Sequence, residues 1–413
     1  MNTPVLIRRI YLWIQLFISI FLCRKWPYDF VTLKYLGVWI IAISVISLIV
    51  FSNSGKFAWI IGISSLVNIC WANAICLSPW QNAIHWQVSL VGEPADFMMV
   101  RALILFYSSL IAGVSLTSLT RNVSLDQIEL HPNLIIYIGG LILLVLILFF
   151  GFSHGGGSGY ESQKNPIYEY AITVFVLVWL YSNPKIYFQK VILIFFASAY
   201  ILQGVLFGDR SSAFPMLIVL FLLISRRNLK SYQIVIIGLF GIIFANIIDL
   251  VRNSLFQNMF HELLNRGFNV NTISFSHYAG VQIINSAGRV AHYSFGLEFI
   301  KSIFQGKAVE LSEYAADLGF RNSGGGFTAS NFYFWGGLFG VVILGLLTGL
   351  LISYFFGRSS MMAYVISLCI VGFSIRWYIY FPAALFRSAI IVPIVEILFC
   401  QLVDRLTRKD KFN

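Results

Sequence analysis

Residues 133–151 read NLIIYIGGLILLVLILFFG and contain no charged side chain. This run is close to the roughly 20 residues that an α-helix needs to cross the hydrocarbon core of a bilayer. A helix suits that environment because it satisfies all its backbone hydrogen bonds within one segment. Comparable apolar runs occur at eleven other places, near residues 10–22, 31–51, 56–76, 97–119, 167–183, 187–207, 211–225, 233–250, 328–356, 360–380 and 385–404. The sequence therefore predicts an all-α fold, a polytopic transmembrane helical bundle of about twelve spans.

The composition also indicates that the chain itself is the membrane domain. Of its 413 residues, 58% are apolar and 11% are charged, and the mean hydropathy is +0.81. An average soluble domain has about 25% charged residues. The net charge of +11 would suggest nucleic-acid binding in a soluble protein. Here it is expected to mark topology and contact with membrane lipid, so no nucleic-acid partner is predicted.

The sequence contains no motif that indicates metal or cofactor binding. The five cysteines have no CxxC spacing and mostly fall within predicted spans, which supports neither a disulfide framework nor a zinc site. His261 and Glu262 begin a segment similar to HExxH, but Asn265 stands where the second histidine is required. We therefore predict no metal and no cofactor.

Charge and loop length divide the chain into three regions. Residues 1–250 contain predicted helices 1–9, residues 251–327 form one large external loop with short amphipathic helices, and residues 328–413 contain helices 10–12 and a tail. The basic segment 226–230 and the basic tail place both termini in the cytoplasm by the positive-inside rule. The first apolar run, 10–22, is short and could instead lie flat in the membrane interface.

Several arginines fall on the external side, where the positive-inside rule does not predict them. A guanidinium group offers paired donors that suit phosphate oxygens. An external arginine cluster at membrane level therefore suggests a lipid-linked pyrophosphate as ligand. Acidic residues on the same side could instead pair with these arginines and give them a structural role. The candidate pyrophosphate-binding residues are Arg210, Arg252, Arg289, Arg321 and Arg376.

A catalytic base for this site would have to be external and close to the arginines. His277, within the segment Phe275–Tyr278, is the preferred candidate for the catalytic residue. A single loop histidine is more often structural, and other candidates remain. These are His292, Glu169, Glu298 and Asp209.

Two glycine-containing segments resemble the Wzy-type O-antigen and lipid-linked oligosaccharide polymerases of bacterial inner membranes. Residues 208–216 read GDRSSAFPM, which is similar to a short external turn with glycine and a basic residue before an apolar helix. Residues 321–340, with Arg321, three glycines, Tyr333 and the run GGLFG, are similar to the end of the family's large loop. Asn331 stands where many members have an acidic residue. About twelve spans with one dominant external loop also match the family's layout.

The resemblance implies a metal-independent glycosyltransferase at the periplasmic face of the bacterial inner membrane. Such an enzyme joins oligosaccharide repeat units, carried on undecaprenyl pyrophosphate, into O-antigen or a related polysaccharide of the lipopolysaccharide. It also implies a chain-length co-polymerase (Wzz-type) as a possible partner.

Three alternatives remain open at this point. An O-antigen ligase, which transfers the glycan to the lipid A core, has a similar layout. A lipid-linked oligosaccharide flippase or other transporter would have charges distributed through its mid-membrane helices and short loops on both sides. A non-enzymatic assembly subunit would tolerate loss of every external arginine and histidine.

Overall fold

The structure is a computed structural model, and it describes residues 3–52, 55–79, 83, 87–116, 132–151, 165, 167–206, 210–225, 229–252, 271–287, 297, 300, 311 and 325–409. These residues form fourteen α-helices, and no strand occurs among them. In chain order they are α1 (Thr3–Lys25), α2 (Phe30–Val50), α3 (Lys56–Trp71), α4 (Pro94–Ser115), α5 (Leu134–Phe150), α6 (Ile167–Tyr181), α7 (Tyr187–Leu206), α8 (Arg210–Ile224), α9 (Ser231–Arg252), α10 (Asn271–Ala287), α11 (Thr328–Phe356), α12 (Met361–Gly372), α13 (Ser374–Ile379) and α14 (Val392–Lys409). Two π-helical segments, Ala72–Leu77 and Ala384–Ile391, continue α3 and precede α14.

Six helical segments of the described chain are long and apolar enough to cross a membrane. They are Phe30–Val50, Lys56–Leu77, Pro94–Ser115, Tyr187–Leu206, Thr328–Phe356 and Ala384–Thr407. Five shorter apolar helices accompany them: Leu134–Phe150, Ile167–Tyr181, Ser211–Ile224, Ser231–Ile243 and Met361–Gly372. The predicted helical fold is thus confirmed, and the helices indicate a multi-pass membrane protein. The number of spans, the large external loop, the type of membrane and the orientation of the termini stay predictions.

The helices pack as two compact units that alternate along the chain. The first unit comprises Met1–Asn122, Leu229–Gly357 and Ile375–Pro382, and the second comprises Val123–Asn228, Arg358–Ser374 and Ala383–Asn413. The three regions predicted from the sequence follow membrane topology, whereas these two units follow packing.

Helix α4 is the core of the first unit. Every residue from Ala95 to Ser115 except Met98 is buried. Its main neighbour is α11, and from Gly345 onward α11 runs parallel to α4, because Gly345 lies against Ser109 while Ser353 Oγ donates to the Val114 carbonyl (3.3 Å). Near their starts, Ser330 of α11 and Met99 of α4 both lie beside Gly280. Both helices therefore begin at the same end of the unit.

Helix α10 lies within the predicted external loop, yet it is buried. Nearly all its side chains from Ile273 to Ala287 are inaccessible, and it packs against α3, α4 and α11. This part of the loop therefore belongs to the core of the first unit. The amphipathic helices expected near residues 295–304 and 311–318 fall almost entirely outside the described residues.

Two buried tyrosines and an asparagine hold the second unit together. The rings of Tyr168 and Tyr200 stack at 4.3 Å, and each hydroxyl donates to the backbone carbonyl of the other residue. Asn133 accepts from the first amides of α5 and donates to Asp404 Oδ1 on α14 (2.8 Å). These contacts join α6 to α7 and α5 to α14.

Helix α11 is interrupted at Gly336 and Gly337. Gly337 has φ +60° and ψ −158°, a backbone conformation that is essentially restricted to glycine and costs other residues about 1 to 3 kcal/mol. Gly337→Ala is therefore expected to lower the free energy of unfolding by that amount, measured by denaturant titration of the protein in detergent micelles. Gly336→Ala is the control, because its φ of −158° is not positive and a Cβ at either position meets open space. Equal losses for the two variants would contradict the conformational explanation.

Candidate functional site

His277 lies in the middle of α10 and is fully buried. Its Nε2 is 2.7 Å from Oδ1 of Asp96, which is also buried. Its other ring nitrogen, Nδ1, accepts a hydrogen bond from Trp71 Nε1 at 3.2 Å. Three helices, α3, α4 and α10, thus bring Trp71, Asp96 and His277 into one hydrogen-bonded chain.

Trp71 fixes the tautomer of this histidine. An indole N–H can only donate, so the Nδ1 that it contacts must carry a lone pair. The single proton of the neutral imidazole then lies on Nε2 and is donated to Asp96. His277 is therefore held as the Nε2–H tautomer, with Nδ1 as its one basic nitrogen.

Asp96 is placed to accept at both carboxyl oxygens. It lies in the first turn of α4, where the helix dipole favours negative charge, and Pro94 at the first helical position suits that start. Its Oδ2 accepts from the backbone N–H of Gly92 at 2.9 Å, while Oδ1 accepts from His277. Gly92 has φ +83°, so glycine permits the turn that aims this amide at the carboxylate.

The hydrogen-bonded chain lies at the end of the first unit where α4 and α11 begin. Asp96 is in the first turn of α4, and the residues that lead into α11 pack against α10. Gly325 and Gly326 enter α11 with φ +81° and +110° and pack against α10. A Cβ on Gly325 would lie 3.1 Å from Ser276 Oγ, and a Cβ on Gly326 would lie 2.7 Å from Ile283 Cδ1. The glycines predicted at the end of the loop therefore allow a close approach to the helix that carries His277.

Two further polar groups of α10 are buried beside His277. Ser276 Oγ and Tyr278 OH have no hydrogen-bond partner among the described residues. Buried polar groups in native proteins nearly always have a partner, so such atoms call for an explanation, such as a bound ligand or water. Three consecutive residues of α10, Ser276 to Tyr278, thus carry buried polar side chains, which the helix points in different directions.

The structure brings one predicted arginine to the same end of the unit. Arg376 lies on α13, which contacts the start of α11: the Thr328 hydroxyl donates to the Trp377 carbonyl, and Tyr380 packs on Gly325. Arg376 itself is partly buried.

The structure gives only the helix positions of two of the other four predicted arginines. Arg210 is the first residue of α8, in the second unit, and Arg252 is the last residue of α9, in the first. The positions of their side chains are not described. Arg289 and Arg321 fall outside the described residues. The pyrophosphate-binding cluster stays a prediction.

Sequence reasoning missed the roles of Asp96 and Trp71. Asp96 is one of the acidic residues on the predicted external side that could pair with an arginine, whereas in the structure it accepts from His277. The available signal was local: Pro94 and Asp96 mark a helix start, as capping rules predict. No local pattern connects residue 96 with residue 277.

One arginine within a predicted span has a structural explanation. The Arg101 guanidinium donates to the carbonyls of Trp26 (2.5 Å) and Pro27 (3.3 Å), and it lies over the Tyr28 ring at 4.2 Å. It thereby satisfies carbonyls just beyond the end of α1, which otherwise lack helical partners.

In comparisons with known proteins, no protein-family model, no curated protein and no solved structure matches the chain. Function must therefore be argued from the site.

Proposed function

We propose that the protein is a glycosyltransferase that joins lipid-linked oligosaccharide repeat units into O-antigen or a related surface polysaccharide. The observation that carries the proposal is the buried Trp71–His277–Asp96 chain at the end of a multi-pass helical unit where α4 and α11 begin. The resemblance of residues 208–216 and 321–340 to Wzy-type polymerases supports the choice of substrate.

In this proposal His277 is the general base. Asp96 orients the imidazole and stabilises the imidazolium that forms when Nδ1 takes a proton. Nδ1 currently accepts from Trp71, so an acceptor hydroxyl must replace the indole N–H as its partner. The 3.2 Å length of that bond makes it a modest interaction to exchange.

The reaction breaks the bond between the anomeric carbon of the growing glycan and the pyrophosphate of its undecaprenyl carrier. The hydroxyl at the non-reducing end of a second lipid-linked repeat unit attacks that carbon, and its proton passes to His277. The leaving pyrophosphate gains charge, which guanidinium groups stabilise by paired hydrogen bonds. Arg210, Arg252, Arg289, Arg321 and Arg376 are assigned this role. Ser276 and Tyr278 are placed to hydrogen-bond sugar hydroxyls.

The proposal places this site at the periplasmic face of the bacterial inner membrane. About twelve spans would put both termini in the cytoplasm and the loop 251–327 outside, where the lipid-linked substrates are presented. A chain-length co-polymerase (Wzz-type) is the expected protein partner.

His277→Gln tests the base without breaking the hydrogen-bonded chain. The glutamine amide can donate to Asp96 and accept from Trp71, but it has no basic nitrogen. We expect polymer formation to fall at least about 100-fold, within the usual contribution of a general base. The measurement is the glycan length ladder on a gel after deletion of the gene and complementation with the variant.

The same experiment controls for the amount of protein and distinguishes a polymerase from a ligase or a transporter. The variant must accumulate in the membrane like the wild type, and the deletion strain must show core carrying a single repeat unit. A full ladder with His277→Gln would remove the base role. Loss of all glycan from the core in the deletion strain, with lipid-linked polymer accumulating, would indicate a ligase. Accumulation of single repeat units on the cytoplasmic side would indicate a transporter.

A further inference from the structure

Arg387, in the second unit, lies at one end of an apolar segment and has no acidic partner. It is the fourth of the 24 residues in the segment Ala384–Thr407, which is long enough to cross a membrane. Among the described residues, no carboxylate pairs with its guanidinium group. Glu396, the nearest acidic residue along the chain, accepts instead from the Thr173 hydroxyl at 2.9 Å. A charged side chain at the end of a span, without a counter-ion in the described protein, indicates a counter-ion that binds from outside.

Tyr170 fixes the orientation of this guanidinium group. Nε and Nη2 of Arg387 both donate to the Tyr170 hydroxyl oxygen, Nε at 2.8 Å. These bonds use one side of the planar group and leave its end free. Nη1 has no acceptor among the described residues, and it is not one of the buried unpartnered atoms, so it is accessible. Arg387 is therefore held with a pair of nitrogens, Nη1 and Nη2, open to a ligand.

The Tyr170 hydroxyl has a spare donor of its own. Its oxygen accepts both N–H groups of Arg387, so its proton is available to a third partner, and no described residue accepts it. The site thus combines one positive charge, a guanidinium fork and a phenol O–H, without an acceptor. A tetrahedral phosphate suits this set, because its oxygens can meet the end of the guanidinium and the hydroxyl beside it at once.

An apolar cavity of about 550 Å³ lies between α5, α6 and α14 on the same two elements that carry these donors. On α6 its lining begins at Val174, four residues and about one helical turn after Tyr170. On α14 its lining includes Val395 and Phe399, which are 61% and 65% exposed. Apolar side chains as exposed as these face lipid tails in a membrane protein. The cavity is therefore open to a hydrocarbon chain.

The position of Arg387 along the chain agrees with the depth of lipid phosphates. It lies in the first turn of the segment, at the edge of the hydrocarbon core, and the polar headgroups begin there. The π-helical stretch Ala384–Ile391 that carries it is of a rare type that occurs often at functional sites.

We propose that Arg387 and Tyr170 bind the phosphate of a membrane lipid whose hydrocarbon chain lies in the apolar cavity. Two sources share this chemistry: a phospholipid of the bilayer and a polyprenyl phosphate. All residues of the site belong to the second unit, and the proposal does not depend on the glycosyltransferase function.

The experiment is native mass spectrometry of the full chain, released from detergent micelles and titrated with lipid. The lipids are phosphatidylglycerol, undecaprenyl phosphate and a diacylglycerol with the same acyl chains as the phosphatidylglycerol but no phosphate. At least one of the phosphate lipids should bind about tenfold or more tightly than the diacylglycerol, the value of a hydrogen bond to a charged group. The tighter of the two identifies the source of the phosphate.

Three variants test the phosphate contacts. Arg387→Ala should lower the affinity for the phosphate lipid to that for diacylglycerol. Tyr170→Phe should lower it about three- to tenfold, because one neutral donor is lost, and it keeps the test decisive if Arg387→Ala does not fold. Arg358→Ala is the control: it removes an exposed arginine of the same unit and should leave both affinities unchanged.

Gly139→Leu tests the cavity without changing the donors. Gly139 lines the cavity, and a Cβ at this position would meet no atom within 4 Å, so a larger side chain can enter the space meant for the hydrocarbon chain. It should weaken the binding of phosphate lipid and diacylglycerol alike.

All variants must elute as monodisperse protein like the wild type. Equal binding of phosphate lipids and diacylglycerol by the wild type would overturn the proposal. So would unchanged binding in Tyr170→Phe, or equal losses in Arg387→Ala and Arg358→Ala. Unchanged binding in Gly139→Leu would contradict the placement of the chain in the cavity.

Discussion

Asp96→Ala is expected to destabilise the first unit by about 2 to 5 kcal/mol and to abolish function. The substitution leaves two donors without acceptors, the buried Nε2–H of His277 and the partly buried backbone N–H of Gly92. Each unsatisfied buried donor costs about 1 to 3 kcal/mol. The loss would be measured as a lowered midpoint of denaturant-induced unfolding in micelles, together with a lowered amount of protein in the membrane.

Two matched variants show whether the hydrogen bonds cause this loss. Asp96→Asn keeps one acceptor oxygen, but its NH2 group then faces the second N–H donor, which it cannot accept from. The stability of this variant should therefore fall between those of the wild type and Asp96→Ala. Glu93→Ala removes the same charge three residues earlier, from an exposed side chain that makes no cap hydrogen bond. It should change stability by no more than about 0.5 kcal/mol. If Glu93→Ala and Asp96→Ala were equally destabilising, the effect would be one of charge.

Gly349→Ala is expected to disrupt the contact between α4 and α11, at a cost of about 3 kcal/mol or more. A Cβ at this position would collide with the Leu110 carbonyl and lie 2.7 Å from Val114 N and 2.9 Å from Gly113 Cα. These are backbone atoms of a buried helix and cannot move aside as a flexible side chain does. Overpacking of this kind usually costs 1 to 3 kcal/mol, and small residues are what allow membrane helices to approach so closely. The readout is the yield of monodisperse protein and its unfolding midpoint.

Gly357→Ala is the control for this prediction. It lies at the end of the same helix, and a Cβ there would make only ordinary contacts, at 3.4 Å and beyond. Its unfolding midpoint should stay close to that of the wild type. Equal behaviour of the two variants would mean that α4 and α11 are not in close contact.

The positions of the helices followed from local sequence. Each apolar run predicted as a span coincides with a helix or a consecutive pair of helical segments, including Leu134–Phe150 for the run at 133–151. The reason is that an α-helix makes its backbone hydrogen bonds within one segment, so a continuous apolar run suffices to specify it. Helix α10 was not predicted as a helix, because its sequence mixes polar and apolar residues and its burial depends on three partner helices.

The candidate site could be predicted from the sequence only in part. The sequence singled out His277 as an external histidine near arginines, without indicating its partners. His277 is separated from Asp96 by 181 residues and from Trp71 by 206. Contacts between residues so far apart in the sequence produce no periodic pattern. Periodicity shows which face of a single helix is apolar, but it does not show which helices pack together.

What the sequence by itself determined is that this chain is helical and apolar enough for the membrane, whereas the external position of its arginines stays a prediction. The tertiary structure decided which polar groups meet: Asp96 with His277, Asn133 with Asp404, and Glu396 with Thr173. The free energy gained by burying apolar surface depends little on which residues cover that surface. Composition and the length of the apolar runs are therefore enough to predict it. A hydrogen bond in a buried site requires two particular atoms within about 3 Å, and only the packing of the helices brings those atoms together.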